Sequence, residues 1–591
     1  MADADNFQKL ITPSIKFEIP EYQRNYSWTK EELKDLWRDL NNVIGGSDGE
    51  SEAKSHFYGM FLFNVDDGIY NIIDGQQRIT TAIILLNEIR NRLIELDSEE
   101  KATGIKHDYI KNSHGYKLTL GPDDDHRVLQ DEILLQANQN TDIESLSDTP
   151  SQTRLLKAKK FFSSKLDSKD EDYLDSLKSV IDTLVVMSYE VDSVSRAVKI
   201  FETANDRGRN LTNLDKTKSF LMLQIYLNKS SDDQQDVDDE ITLLQSRFGK
   251  MYEKIDEINS TEHWSSFSED SIQRYHYILW DTQWTSSRGE KYYQNLLTHL
   301  KEKIRGEESP LKQIEDYSKE LQNAFRAHEY LTRLSDANDE ERRIIKRMEL
   351  AGSMGNVRPL LMALRMKKGT TITDSEYIDL LRRVESLVVR VYVIAQKRAY
   401  TGRYKIYRLA RNIYQENVSA NDIGERISAI TRDYAEDESV LESLSRDDFY
   451  GDFKQREQRY LFYFYEAALQ NESDREKMPF SLKKWVSGQL VGGNKEVNLN
   501  VDHIHPQTPA EDLDVDDCEH RLGNLSILPE GENKSLQNAA QVGKEDAYKE
   551  INLEMNKNIV PDLEHWDADR IREREAGIKT RLLQQWPIMD E

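Results

Sequence analysis

From Ile241 to about Ala435 apolar residues recur at spacings of three and four almost without a break, whereas on both sides the period shortens in places to two. A 3.6-residue period buries one stripe of a helix, and a two-residue period buries one face of a strand. The chain therefore reads as multidomain α+β, with an α/β N-terminal region, an all-α middle and a helical C-terminal part holding a few short strands. At 591 residues it is too long for one core. The expected divisions are 1-228, 241-440 and 444-591, with the acidic run Ser230 to Glu240 marking the first boundary.

Within the first division, alternation at Ile15, Phe17 and Ile19 predicts a strand that Pro20 ends. Thr29 and Glu32 stand in capping-box spacing ahead of Leu33, Leu36, Trp37 and Leu40. Tyr58 to Val65 and Ile69 to Ile73 read as a hairpin around Asp67-Gly68. Its second strand runs into Asp74-Gly75-Gln76-Gln77-Arg78 and then a helix carrying Ile83, Ile84, Leu86, Leu93 and Ile94. The polar stretch from Gly121 to Thr153 reads as a long loop, and Val185 to Val191 as a strand.

No apolar run approaches the ~18 residues of a membrane span, and the opening MADADNFQKL has neither the basic start nor the apolar stretch of a secretory signal. A soluble, cytoplasmic protein is expected, with no membrane partner. Cys518 is the single cysteine, so any metal site must draw on carboxylate, amide and imidazole groups, which favours a hard ion. The net charge of −27 opposes a nucleic-acid partner on average. One segment departs from that average. Ser386 to Gln415 lacks Asp and Glu and interleaves Arg390, Lys397, Arg398, Arg403, Lys405, Arg408 and Arg411 with five tyrosines. It reads equally as a surface for DNA phosphates or as a basic helix face paired with carboxylates elsewhere.

The densest chemistry lies near the C-terminal end. Val497, Leu499 and Val501 alternate into Asp502-His503-Ile504-His505-Pro506, followed by Gly523-Asn524-Leu525 on a second strand and Asn533-Lys534 opening a polar helix. Phosphodiester hydrolysis needs an activated water and a cation that neutralises charge developing at the phosphate. His503 suits the base, since imidazole has an unperturbed pKa near ~6.5. Asp502 and Asn533 suit a divalent ion such as Mg²⁺, with Asn538 as another candidate along the helix. Asn524 would hold the His503 loop in register. Taken singly, each of these residues could merely cap a strand or satisfy a turn. A rival zinc site would combine His503, His505, Cys518 and His520, although that spacing is not a usual zinc pattern.

In the N-terminal loop, Gly75 permits a tight turn at a helix N-terminus, Arg78 can pair with phosphate, and Asp74 can hold a metal or polarise a water. A structural turn with Arg78 in an ordinary salt bridge explains the same residues equally well.

The string Val501 to Gln507, with Gly523-Asn524-Leu525 and Asn533-Lys534, resembles the His-Asn-His (HNH, ββα-metal) endonucleases, most closely domain-of-unknown-function family 1524. Asn533 stands where many relatives carry His. Pro20 to Trp28, the Asp74 to Arg78 loop, Asn205-Asp206-Arg207-Gly208 and Leu211 to Asp215 resemble family 262, related to the ParB/sulfiredoxin-like fold. That resemblance implies nucleotide (NTP) binding and hydrolysis, with Gln23, Arg24, Asp74, Gln76, Gln77, Arg78, Asn205 and Arg207 as contacts and Asp74 also catalytic. Both families in one chain resemble the GmrSD-type and SspE-like antiphage restriction proteins. The expectation is a nucleotide-regulated, Mg²⁺-dependent endonuclease acting on modified or foreign DNA, possible as a homo-oligomer. The alternative is a DNA-binding nucleotide switch whose nuclease fold is inactive.

Overall fold

The computed structural model describes residues 3–11, 15–20, 23–45, 57–66, 68–113, 115–121, 123–135, 146–191, 212–228, 234–259, 267–281, 292–306, 309–470, 481–492, 495–506, 517–529, 544–550 and 553–589. The chain divides into two compact units. One comprises Met1–His276 with Arg288–Arg333, and the other Tyr277–Ser287 with Leu334–Glu591.

The N-terminal unit is built on strands β1 (Asp3–Asn6), β2 (Lys16–Ile19), β3 (Phe57–Asp66), β4 (Ile69–Asp74), the small pair β5 (Lys111–Asn112) and β6 (Gly115–Tyr116), β7 (Leu118–Leu120) and β8 (Val185–Val191). Six of them form one mixed sheet in the order β1-β8-β3-β4-β2-β7. The hairpin β3–β4 is antiparallel, while β2 runs parallel to both β4 and β7. Phe7, Phe17, Phe61 and Phe63 are fully buried on this sheet. Helix Gln76–Glu95 is buried on nearly every side from Ile79 to Ile89, which makes it the central helix of the unit.

Part of the stretch expected to be a loop is helical. Residues Val128–Leu134 form a π-helical turn that buries Val128, Leu129, Ile133 and Leu134, and the Asn87 Nδ2 donates to the Ile133 carbonyl at 2.8 Å. Helix Pro150–Leu166 then opens on a Thr149/Gln152 capping box. The expected boundary near residues 229–240 is also crossed. Helices Gln234–Asn259 and Pro310–Arg333 pack on each other and on Asn213–Asn228, because Leu244, Phe248, Met251 and Ile255 present a continuous buried stripe. Half of the helical middle thus belongs with the N-terminal sheet.

The other half belongs with the C-terminal strands. Helices Asp339–Ala351, Arg358–Lys367, Asp374–Val388, Arg403–Gln415, Ala420–Ala435 and Gln455–Leu469 precede a three-stranded antiparallel sheet. Its strands are β9 (Gln489–Gly492), β10 (Lys495–His503) and β11 (Leu525–Pro529), in the order β11-β10-β9. The register sets Asp502 opposite Ser526 and His503 opposite Leu525. Helix Ala568–Gln585 closes the unit. Among the described residues no helix is long and apolar enough to cross a membrane.

Candidate functional sites

In the N-terminal unit, β4 delivers Asp74 to the start of the central helix. Gly75 makes the turn at φ 98°, and a Cβ there would lie 2.4 Å from the Phe61 ring. Glycine is the residue that this approach requires. The glutamines of the loop clasp the segment after Pro20. Gln77 Oε1 accepts from the Ser27 N–H at 2.8 Å, while its Nε2 donates to the Asn25 carbonyl at 3.1 Å. Gln76 Nε2 donates to the Arg24 carbonyl at 2.9 Å, and Gln23 Nε2 to the Ile73 carbonyl at 3.2 Å. Arg78 Nη2 donates to the Met60 carbonyl at 2.7 Å and to Asp74 Oδ2 at 3.1 Å. These bonds order two distant segments as one surface.

Behind the clasp, Arg24 and Asp215 meet three residues that no motif announced: Glu269, Tyr252 and Lys218. Arg24 pairs with Glu269 at 2.8 Å and lies 3.7 Å from Asp215, whose other oxygen accepts from Tyr252 Oη at 2.5 Å. Against the cost of burial, Glu269 and Asp215 raise the Arg24 guanidinium. Lys218 places its ammonium 5.6 Å from the Tyr252 ring, and burial lowers its pKa despite Asp215 and Asp74 nearby. Burial likewise raises the Asp74 carboxyl against the pull of Arg78. Lys218 makes no hydrogen bond or ion pair among the described residues, and the buried Gln76 Oε1 has no donor there. A desolvated cation without a hydrogen-bonded counter-charge fits a ligand that carries an anionic group. Asn205 and Arg207 lie outside the described residues.

In the C-terminal unit, Asn524 is the structural knot. Its Oδ1 accepts from the His505 N–H at 2.9 Å and from Trp566 Nε1 at 3.1 Å, and its Nδ2 donates to the carbonyls of His505 at 3.1 Å and Glu519 at 2.7 Å. Gly523 is pressed so closely on helix Ala568–Gln585 that a Cβ would fall 2.0 Å from the Ile571 carbonyl oxygen. His505, just after β10, and Glu519 are thereby tied to the start of β11.

His503 is 8% exposed, with Nε2 3.1 Å from His520 Nδ1 and the Tyr450 ring 4.4 Å away, centre to centre. Burial, and then the neighbouring His520 and Lys544, push its pKa down to about 3. It is therefore neutral at physiological pH, and a weaker base than free imidazole. Cys518 is turned into the apolar core with Ile504 and Leu528. Among the described residues no three of His, Cys, Asp and Glu gather in a metal-binding group, so the zinc arrangement is not formed there.

Asn533 and Asn538 lie outside the described residues, and the fit of a divalent ion rests on Asp502. This carboxylate is 3% exposed and takes Lys544 Nζ on both oxygens, at 2.9 and 3.1 Å. Tyr548 Oη donates to Oδ2 at 2.9 Å, and the His503 N–H donates as well. A carboxylate has about four lone-pair positions, and here all are engaged. As placed, Asp502 does not fit a metal ion.

Each unit has relatives, and together they define a restriction endonuclease, an enzyme whose substrate is DNA. Residues 7–222 match the GmrSD restriction endonuclease N-terminal domain and residues 434–579 the corresponding C-terminal domain, more than half of the chain between them. The protein belongs to the GmrSD restriction endonuclease family. No curated protein matches the chain.

Proposed function

We infer that this protein is a nucleotide-regulated DNA endonuclease of antiphage defence, in which the C-terminal unit cuts and the N-terminal unit licenses cutting. The observation that carries the reading is the position of His503. It ends β10 two residues before His505, which the Asn524 side chain holds with two hydrogen bonds, inside the segment matching the restriction endonuclease C-terminal domain. In this reading His503 takes the proton from the attacking water. Asp502 and Asn533 belong to a Mg²⁺-loaded active state that differs from the arrangement described, since Asp502 is saturated. An NTP binds behind the Asp74 to Arg78 clasp, where Lys218 and Arg24 supply charge for phosphates.

A plasmid-cleavage assay with Mg²⁺ or EDTA, run with and without each nucleotide on modified and unmodified DNA, tests this. Metal-dependent cutting that His503→Ala lowers by ~10² to 10⁴ is expected. Cutting by that variant at the wild-type rate would refute the assignment.

The closed state of Asp502 and the depressed basicity of His503 favour a second reading, a DNA-binding nucleotide switch with a silent nuclease fold. Inertness on every DNA, with nucleotide and metal present, would establish it.

A further inference from the structure

We propose that the surface carrying Lys397, Arg398, Tyr400, Tyr404 and Arg408 is the track on which duplex DNA lies as it reaches His503. The proposal rests on the reading of His503 as the centre of cutting, and it adds a surface that lies ahead of the matched C-terminal domain, residues 434–579.

A chain of net charge −27 repels DNA on average, so phosphates settle where the local sign is reversed. Lys397 and Arg408 are exposed, and among the described residues their side chains make no hydrogen bond or ion pair. Lys405, between them, is already paired with Asp433 at 2.6 Å and adds little. Arg398 Nη1 donates to Tyr400 Oη at 2.7 Å. That bond aligns the two side chains and leaves the phenol O–H and the other guanidinium N–H groups to donate to phosphate oxygens. Tyr400 and Tyr404 are 58% and 60% exposed, and Tyr404 shares a helix face with Arg408, one turn on.

The segment is held in place before any ligand arrives. Tyr392 Oη donates to the Thr401 carbonyl at 2.8 Å, and Asn356 Nδ2 donates to that of Ala399. Gln396 follows the π-helical turn Val389–Ile394 at φ 48°, a left-handed conformation that costs free energy in a residue with a Cβ. Its side chain is bonded to helix Phe449–Asp452. Gln396 Nε2 donates to the Asp452 carbonyl at 2.9 Å, and Arg446 Nη1 bridges Gln396 Oε1 and Asp452 Oδ2 at 3.0 and 3.1 Å. Tyr450, on that helix, donates its N–H to the His520 carbonyl at 3.0 Å and sets its ring 4.4 Å from that of His503. One run of contacts therefore joins the basic segment to the imidazole.

The test uses the full-length chain in EDTA with a short labelled duplex, so that cutting is not needed. Cys518 is buried, so a cysteine introduced at an exposed position is the one that takes a photoreactive label. Duplex DNA should cross-link strongly from Ala399→Cys, in the basic segment, and from Lys454→Cys, just beyond helix Phe449–Asp452. Asp374→Cys is the reference, because it stands at the other end of the helix that leads to Gln396, roughly 30 Å away. The double variant Arg398→Gln, Tyr400→Phe should bind the duplex ~10-fold more weakly in fluorescence anisotropy, at an unchanged melting temperature. A yield from Ala399→Cys no higher than the reference, or an unchanged affinity of the double variant, would overturn the proposal. A reference-level yield from Lys454→Cys would detach the track from His503 and overturn it as well. Should the chain bind and cross-link as expected yet cut no DNA with Mg²⁺, the track stands and the catalytic reading fails.

Discussion

His503 and His520 face one another across the end of β10, Nε2 to Nδ1 at 3.1 Å. A hydrogen bond between those atoms carries one proton, and when it sits on His503 Nε2 the lone pair of that ring lies on Nδ1. His520 would then set the tautomer of His503, the proposed base. His520→Leu should slow single-turnover DNA cleavage by ~10- to 100-fold, and His520→Asn, which returns a polar atom near the missing Nδ1, should recover most of that rate. Equal rates for the leucine variant and wild type would remove His520 from the reaction.

Lys218 has no counter-charge at hydrogen-bond distance among the described residues. If phosphate is its partner, Lys218→Met should weaken nucleotide binding by ~10- to 100-fold, the worth of one or two charge-assisted hydrogen bonds. Isothermal titration reads this, and the melting temperature should hold. Gln77→Ala should lower both, since it frees the Ser27 N–H and the Asn25 carbonyl together.

The basic segment separates into two parts with different consequences. Arg390 is 1% exposed and donates to the Ala435 and Trp586 carbonyls and to Asp437, so Arg390→Leu should cost about 3 kcal/mol in a denaturant melt. Lys397, Arg398 and Arg408 are exposed beside Tyr400 and Tyr404. Reversing these three charges to Glu should leave stability nearly unchanged while weakening DNA binding. The slope of log affinity against log salt should shrink by about 1 for each phosphate that the variant no longer neutralises. An unchanged slope would place the DNA elsewhere.

His276 is fully buried, and burial holds its pKa down at about 3. Because the folded value lies below the unfolded ~6.5, its contribution to stability is complete above pH ~6.5 and fades as pH falls toward 3. Melting temperatures of His276→Phe should therefore decline less steeply than those of wild type between those limits. Parallel declines would mean that His276 is not a proton acceptor on unfolding.

Legibility of the sequence varied with the range of the interaction. The β3–β4 hairpin and the two strands flanking His503 were readable because alternation and turn residues act over a few positions. The π-helical turn at Val128–Leu134 was hidden by the polar residues around it, and the Thr149/Gln152 capping box fell inside the stretch read as a loop. Lys544 meets Asp502 across 42 positions, and no local pattern reports that. Lys218, Tyr252 and Glu269 come from three helices whose packing brings them behind the clasp. The rival zinc quartet failed in part for the same reason. His503 and His520 do meet, but the apolar neighbours of Cys518 draw its thiol inward.

The hold of helix Ala568–Gln585 on the loop after β10 has a modular consequence. Trp566 and Arg574 reach back to Asn524 and to the carbonyls of Gly523 and Leu525, at 2.7 to 3.1 Å. Cleavage of the chain ahead of Trp566 would strip these bonds from Asn524 and from the start of β11 while leaving every residue of the strands in place.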